Sequence, residues 1–553
     1  MIPDTPLSQG QASPIEIQLQ AGRSWLHRSL AGGPRWPPVI IWAPALLVGA
    51  ALLLSPAYLL IRTAGAGSEA WDLLFRLRIL AILARTLLLV VSVTGVCVIL
   101  AVPLAWLTVR TDLPGRRAWA VAVALPLVIP SYVAGFIVVV ALGPRGMLAQ
   151  GLESLFGIER LPEIYGFPGA LLTLSFLSYP YVLLTVRGSL LRMDPALVET
   201  SRGLGHGSWA TFRKVILPMM RPGIMAGALL VALYVLSDFG AVSLLRYETF
   251  TWAIFVQYES GLERTLGAAM SLALAALALG IVGLEFVSRG RSRYYRSAPG
   301  AIRPGAMVRL GRWRWPALAF CASVLAIGLA LPASVLIYWA VRGILAGEPL
   351  ALLWGAARNS LYASSIAAVI AVAAALPVAT LSVRFPGVLS SLLERVTYVG
   401  FALPGIAVAL ALVFFGANYA PVLYQTMGLL VLAYLVLFLS PAVGPIRASL
   451  LQISPRMEEA ARSLGRTPMR VMTSITLPMA RPGIISAGAL VFLLTMKELP
   501  ATLVLGPIGF NTLATAVWAA ASEAFFAQAA LPALLLILAS SIPLAFLMLR
   551  ERR

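Results

Sequence analysis

The sequence predicts an all-α polytopic membrane protein of twelve transmembrane helices, arranged as two parallel six-helix repeats. Three observations lead there. The 553-residue chain has a mean hydropathy of +0.89, with 60% of its residues apolar and only 12% charged. A soluble globular chain carries about a quarter charged residues, so this much apolar surface belongs in a bilayer. Twelve apolar runs are long enough to cross one as helices, and none alternates in the way a lipid-facing strand would. Finally, one polar, basic paragraph is written twice. The stretch VETSRGLGHGSWATFRKVILPMMRPG (Val198 to Gly223) is echoed by EEAARSLGRTPMRVMTSITLPMARPG (Glu458 to Gly483), at an offset of 260.

Residues 1–37 are polar and Pro-rich, and read as a cytoplasmic N-terminal tail. The apolar run that follows is too long for a signal peptide, and reads as a retained first span. The twelve runs lie near 38–61, 80–107, 119–142, 168–187, 222–245, 266–287, 316–340, 360–383, 397–416, 424–446, 484–506 and 528–549. They define a first six-span domain, 38–287, and a second, 316–549. Between them lies a basic, Pro- and Gly-dotted linker, 288–315, and a short tail, 550–553, closes the chain. With the N-terminus inside, 31 of the 42 Lys and Arg residues fall on the cytoplasmic side. This positive-inside bias puts both termini, the linker and both echoed loops in the cytoplasm. The net charge of +20 is thereby an orientation signal and an attraction to anionic lipid, and calls for no nucleic acid.

The repeat extends beyond the loops. Thr86-Leu87, Pro103 and Arg110 recur as Ser360-Leu361, Pro377 and Arg384 at an offset of 274. The change of offset falls in outer loops, long at 143–167 and short at 417–423. Six spans per half keep both copies in one orientation, so the repeat is parallel, with its axis along the membrane normal.

In the second loop Pro455 can open a helix with Glu458 and Glu459 in its first turn, where the macrodipole favours acid. Gly465 then marks a left-handed residue or a close approach. A second short segment is expected to end before Pro478, and Pro482-Gly483 to precede the next span. The first loop has Pro195, Glu199, Gly205, Pro218 and Pro222 at matching places. One such loop could be an interfacial helix and no more. Two matched loops read as paired docking surfaces for a two-fold partner.

Here the chain resembles a fused permease of the binding-protein-dependent type I ABC importers. Glu459-Ala460-Ala461 with Gly465 resembles the family's cytoplasmic signature, and Glu199-Thr200-Ser201 with Gly205 keeps the same Glu-x5-Gly spacing while departing from the alanine pair. The resemblance implies the type I importer permease fold and a place in a bacterial inner membrane. It implies two ATP-binding subunits on the cytoplasmic side, coupled through Glu199, Gly205, Glu459 and Gly465, and a periplasmic solute-binding protein. The chain has no GxxxxGK[ST] phosphate loop, so ATP would be used by the partner subunits, with no catalytic residue and no cofactor in this chain. Asp238-Phe239-Gly240-Ala241 and the fused layout resemble the ferric-iron importer permeases; thiamine and phosphonate-type permeases share that layout.

Cys97 and Cys321 lie in apolar runs and His27 and His206 outside them, so no resident metal site is expected. Three ionisable residues fall within or beside spans: Asp238, Lys497 and Glu498, with Asp238 and Glu498 equivalent at the offset of 260. Such groups are costly in a membrane and are functional candidates by default. They either line the translocation path or hold helices together, Asp238 with a partner such as Arg246. An ion-coupled secondary transporter would share the parallel halves but not the twin loops. A membrane enzyme would need clustered carboxylates, usually with a metal, at one face.

Overall fold

The computed structural model describes residues 39–550 apart from 66–71, 73, 145, 158–161, 194, 261–263, 289–306 and 349. The tail 1–37, most of the linker 288–315 and residues 551–553 lie outside the described residues. The first half contains α1 (Val39–Gly65), α2 (Leu77–Arg110), α3 (Arg116–Ala122), α4 (Ser131–Leu142), α5 (Met147–Phe156), α6 (Phe167–Arg192) and α7 (Pro195–Gly203). Next come α8 (Ser208–Thr211 and Leu217–Ser237, joined by a π turn at Phe212–Ile216), α9 (Gly240–Leu244), α10 (Phe250–Ser260) and α11 (Arg264–Ser288). The second half repeats the order. It begins with α12 (Arg314–Leu325 and Leu331–Leu345, joined at Ala326–Ala330), α13 (Leu350–Arg384), α14 (Val388–Ala402), α15 (Gly405–Tyr419), α16 (Met427–Gln452) and α17 (Pro455–Ser463). It ends with α18 (Pro468–Val471 and Leu477–Met496, joined at Met472–Thr476), α19 (Pro500–Leu505), α20 (Leu513–Ser522) and α21 (Phe526–Arg550).

All twelve predicted runs are helical, and 11 helices among the described residues are long and apolar enough to cross a membrane. The run at 397–416 is the exception, because it is divided between α14 and α15. Four runs are in fact broken. Pro130 ends the helical path between α3 and α4, and Pro404 does the same between α14 and α15, each preceded by an extended residue, Ile129 or Leu403. Proline has no N–H to give and pushes the residue before it out of the helical region. The other two breaks, at Asp238-Phe239 and at Lys497 to Leu499, separate α8 from α9 and α18 from α19. Helices α5, α10 and α20 occupy stretches that the sequence marks as loops.

The expected stop before Pro478 does not occur. Both α8 and α18 run through their paired prolines, Pro218/Pro222 and Pro478/Pro482. The π turn just before them widens the helix, and so relieves the clash that a proline ring makes with the carbonyl four residues back. The glycines that follow recur for a packing reason. A Cβ on Gly223 would strike Ser189 and the Thr185 carbonyl, and one on Gly483 would strike Ser449 and the Pro445 carbonyl. Here α8 and α18 lie directly on α6 and α16.

The other repeated residues do equal work in both halves. Thr86 Oγ1 accepts from Phe250 N at 3.1 Å at the start of α10, and Ser360 Oγ accepts from Leu513 N at 2.7 Å at the start of α20. Arg110 donates to Leu190 O at 3.0 Å at the end of α6, and Arg384 to Ile453 O at 3.1 Å just past α16. Cys97 and Cys321 are free and buried.

The first helices are exchanged between halves. Helix α1 packs on α11 and on α13, α14 and α15 of the second half, and its Ala45, Val48 and Leu52 join that half's core. Helix α12 packs on α21 and on α4 of the first half, and its Ala317, Cys321 and Val335 join the first half's core.

Candidate functional site

The four breaks meet. A cavity of about 250 Å³ between the halves is lined by Leu127, Pro130, Asp238, Leu403, Lys497 and Leu499, each at or beside a break. Non-helical backbone at membrane depth is stable only where it is buried in protein or lines a water-filled space. At this cavity all four breaks meet that condition together. Most of the remaining wall is apolar, from leucines of α6, α8, α16 and α18, with Tyr132, Tyr181 and Tyr234 among them.

Asp238, Lys497 and Glu498 all line this cavity. The two acids do the same local work. Asp238 Oδ2 accepts from Ala241 N at 3.0 Å and Val242 N at 3.4 Å, and Glu498 Oε1 accepts from Ala501 N at 3.2 Å. Each carboxylate thus caps the short helix beyond its break, satisfying amides that a helix start leaves open. These bonds offset part of the cost of an acid in apolar surroundings. The alternative partner Arg246 is elsewhere, stacked over Tyr165 at 5.4 Å from the ring centre. Lys497 reaches into the other half, its Nζ donating to Leu127 O at 2.9 Å and Val128 O at 3.4 Å.

The echoed loops fold alike. Helices α7 and α17 start at Pro195 and Pro455, and Glu199 and Glu459 are exposed on them. Both helices end in a left-handed glycine, Gly205 and Gly465, each at φ +82°. Gly205 N donates to Arg202 O at 2.9 Å and His206 N to Ser201 O at 3.2 Å; Gly465 N donates to Arg462 O at 3.0 Å and Arg466 N to Ala461 O at 3.1 Å. This bond pair is the Schellman arrangement, which wants glycine at its left-handed residue. A Cβ at either position would meet nothing within 4 Å. Among the described residues of this chain nothing comes close to these glycines, so the reason for glycine that the chain itself shows is backbone conformation.

Around each glycine stands a matched set of exposed apolar side chains: Leu197 and Met457, Leu204 and Leu464, Trp209 and Met469. Leu204 is 74% exposed and Leu464 84%. Clustered apolar side chains left open to solvent mark a surface awaiting a partner.

Glu459 is exposed, as a docking residue would be, while a buried role that the sequence did not single out falls to its neighbour. Glu458 is 6% exposed, and its Oε1 accepts from Arg384 at 2.9 Å and from Thr476 Oγ1 at 3.0 Å. Arg384 recurs as Arg110, but the position of Glu458 holds Val198 in the first half, so the repeat gave no signal for it.

The family model described as "Binding-protein-dependent transport system inner membrane component" matches twice, over residues 98–289 and 367–552. The Fe(3+)-transport system permease protein FbpB 2 of Haemophilus influenzae is 37% identical over 495 residues, 89% of this chain and 94% of that protein. The putative ferric transport system permease protein FbpB 1 of the same organism is 25% identical over 411 residues, covering 69% of this chain and 63% of that one. The molybdenum transport system permease protein ModB of Escherichia coli K12 is 33% identical over 190 residues, 34% of this chain and 77% of that protein.

Proposed function

This chain belongs to the family of binding-protein-dependent transport system inner membrane components, and on that premise we propose that its cavity is the path for ferric iron in an ATP-driven importer. The family's unit occurs once in each half, so the chain is a fused permease. The observation that carries the reading is the cavity itself, into which both halves open all four of their broken helices. Asp238, Lys497 and Glu498 line the path in this reading. Ferric cargo is supported by the iron-transport relative that aligns across both halves, where the molybdenum relative aligns with about a third of the chain. The carboxylates offer the oxygen ligands that hard cations take.

Helices α7 and α17 each dock one ATP-hydrolysing subunit, through Gly205, Gly465 and the exposed apolar residues around them. Two docking loops in one chain call for two such subunits. ATP is used there and not in this chain, and a solute-binding protein delivers cargo at the outer face. The charge bias supports a cytoplasmic position for both termini.

The test is uptake into proteoliposomes holding the purified complex, with its binding protein and ATP, offering ferric iron, molybdate, thiamine or a phosphonate in turn. ATP-dependent iron uptake is expected, and Asp238→Ala and Glu498→Ala should lower it per folded complex. Transport of one of the other compounds without iron overturns the cargo. Uptake driven by an ion gradient without ATP overturns the class.

A further inference from the structure

Lys497 is present in only one half; its equivalent in the other is Ser237. It sits in the break between α18 and α19, on the wall of the cavity. A cation largely withdrawn from water normally takes a carboxylate. Two are close at hand in the same cavity, yet Glu498 accepts from Ala501 N and Asp238 from Ala241 N. Lys497 pairs with no carboxylate among the described residues.

Its partners are the carbonyls of Leu127 and Val128, at 2.9 and 3.4 Å, in the first half. The Pro130 break leaves these two carbonyls open. Pro130 has no N–H, and the first backbone bond of α4 runs from Ala134 N to Pro130 O. The bond therefore joins a break in one half to a break in the other, using groups that no helix of either half needs. Beyond it, the cavity wall contributed by each half is mainly apolar and sets no fixed register by itself; a further hydrogen bond across the halves, Trp518 Nε1 to Ser243 Oγ at 3.3 Å, lies off that wall.

We propose that Lys497 is a latch between the halves, whose hydrogen bonds to the Leu127 and Val128 carbonyls hold the cargo-free state together and are given up when the halves part. A tie made in one state and absent in the other sets the balance between them. The inference rests on family membership and not on which cargo is carried.

The complex with its ATP-hydrolysing subunits is measured without binding protein and without cargo. Lys497→Met keeps the apolar stem and removes the donors. It should raise ATP hydrolysis in this cargo-free state about tenfold, a shift of roughly 1.4 kcal/mol in the balance. Lys497→Arg keeps charge and donors, and should return hydrolysis toward the parent level. Independently of catalysis, spin labels at Leu148→Cys and Val422→Cys, one on each half, should report a second distance population in Lys497→Met. Should Lys497→Met fail to fold, Lys497→Gln is measured by the same criteria. Unchanged hydrolysis and an unchanged distance in a folded variant overturn the latch. So does equal activation by Arg and Met, which would trace the effect to packing. Because no cargo is present, failure of iron uptake leaves this result untouched.

Discussion

The short helix α17 in the second half is supported by charge. Glu458 accepts from Arg384 Nε at 3.1 Å and Nη2 at 2.9 Å, and from Thr476 at 3.0 Å. In the first half the equivalent positions hold Val198 and Ile216, and the polar contacts lie elsewhere. There Ser201 Oγ lies 3.3 Å from His206 Nδ1 and 3.1 Å from Thr211 Oγ1, where the second half has Ala461, Arg466 and Val471. The outward residues, by contrast, match in place and in kind: a left-handed glycine beside an exposed leucine, with further apolar side chains around them. An inward face answers only to its own packing, which many side-chain sets satisfy. An outward face that meets the same partner twice has less freedom.

The largest effect should come from Glu458→Ala. The Arg384 side chain is only 12% exposed, and breaking a buried pair from one side costs about 3–5 kcal/mol. Val198→Ala, at the same place in the first half, should cost roughly 1 kcal/mol. Denaturation midpoints of the two purified variants decide the matter, and equal losses would break the comparison.

Next come the glycines. A Leu at Gly465 or Gly205 would be held at a left-handed φ, at a cost of about 1–2 kcal/mol. Asn tolerates that region better. If conformation is the whole requirement, Gly465→Asn should recover most of the ATPase co-purification that Gly465→Leu loses. Equal losses would show that the partner's cleft also excludes the side chain, which sharpens the docking surface.

The smallest effect belongs to Glu459→Ala and Glu199→Ala. Both residues are exposed at the fifth position of their helices, so Glu459 falls beyond the first turn that the sequence suggested for it, and its charge gains less than the roughly 0.3–1 kcal/mol available at a helix start. Co-purification with the ATPase should fall slightly and to a similar degree in both. A large drop in one alone would mean that the outward faces differ after all.

Much of this was legible in the sequence. Apolar run length gave the helices, and the repeated loop gave both short helices and their glycines. The breaks were less legible because hydropathy does not register them. Pro130 and Pro404 do recur at the offset of 274, but they sit inside apolar runs. Asp238 and Glu498 stood out as acids near span ends, yet nothing local shows that each caps the short helix beyond it. Lys497 could be seen as a cation in or beside a span, but its partners are backbone carbonyls about 370 positions away, which carry no residue signature. Glu458 and Glu459 are neighbours of the same type, and the residue that separates them, Arg384, lies 74 positions upstream.

The exchange of α1 and α12 bears on how the protein is made. Helix α1 leaves the ribosome first, but most of the surface it packs on belongs to α13, α14 and α15, which begin at residue 350 and beyond. Until then it has lipid and α11 for company. The first half, in turn, lacks part of its packing until α12 is inserted. A ribosome that stops after residue 288 would release a helix without its seat and a bundle without part of its packing, both of them targets for membrane quality control. Carrying both halves on one message means that each displaced helix is always followed, at equal dose and in the same place, by the half that receives it.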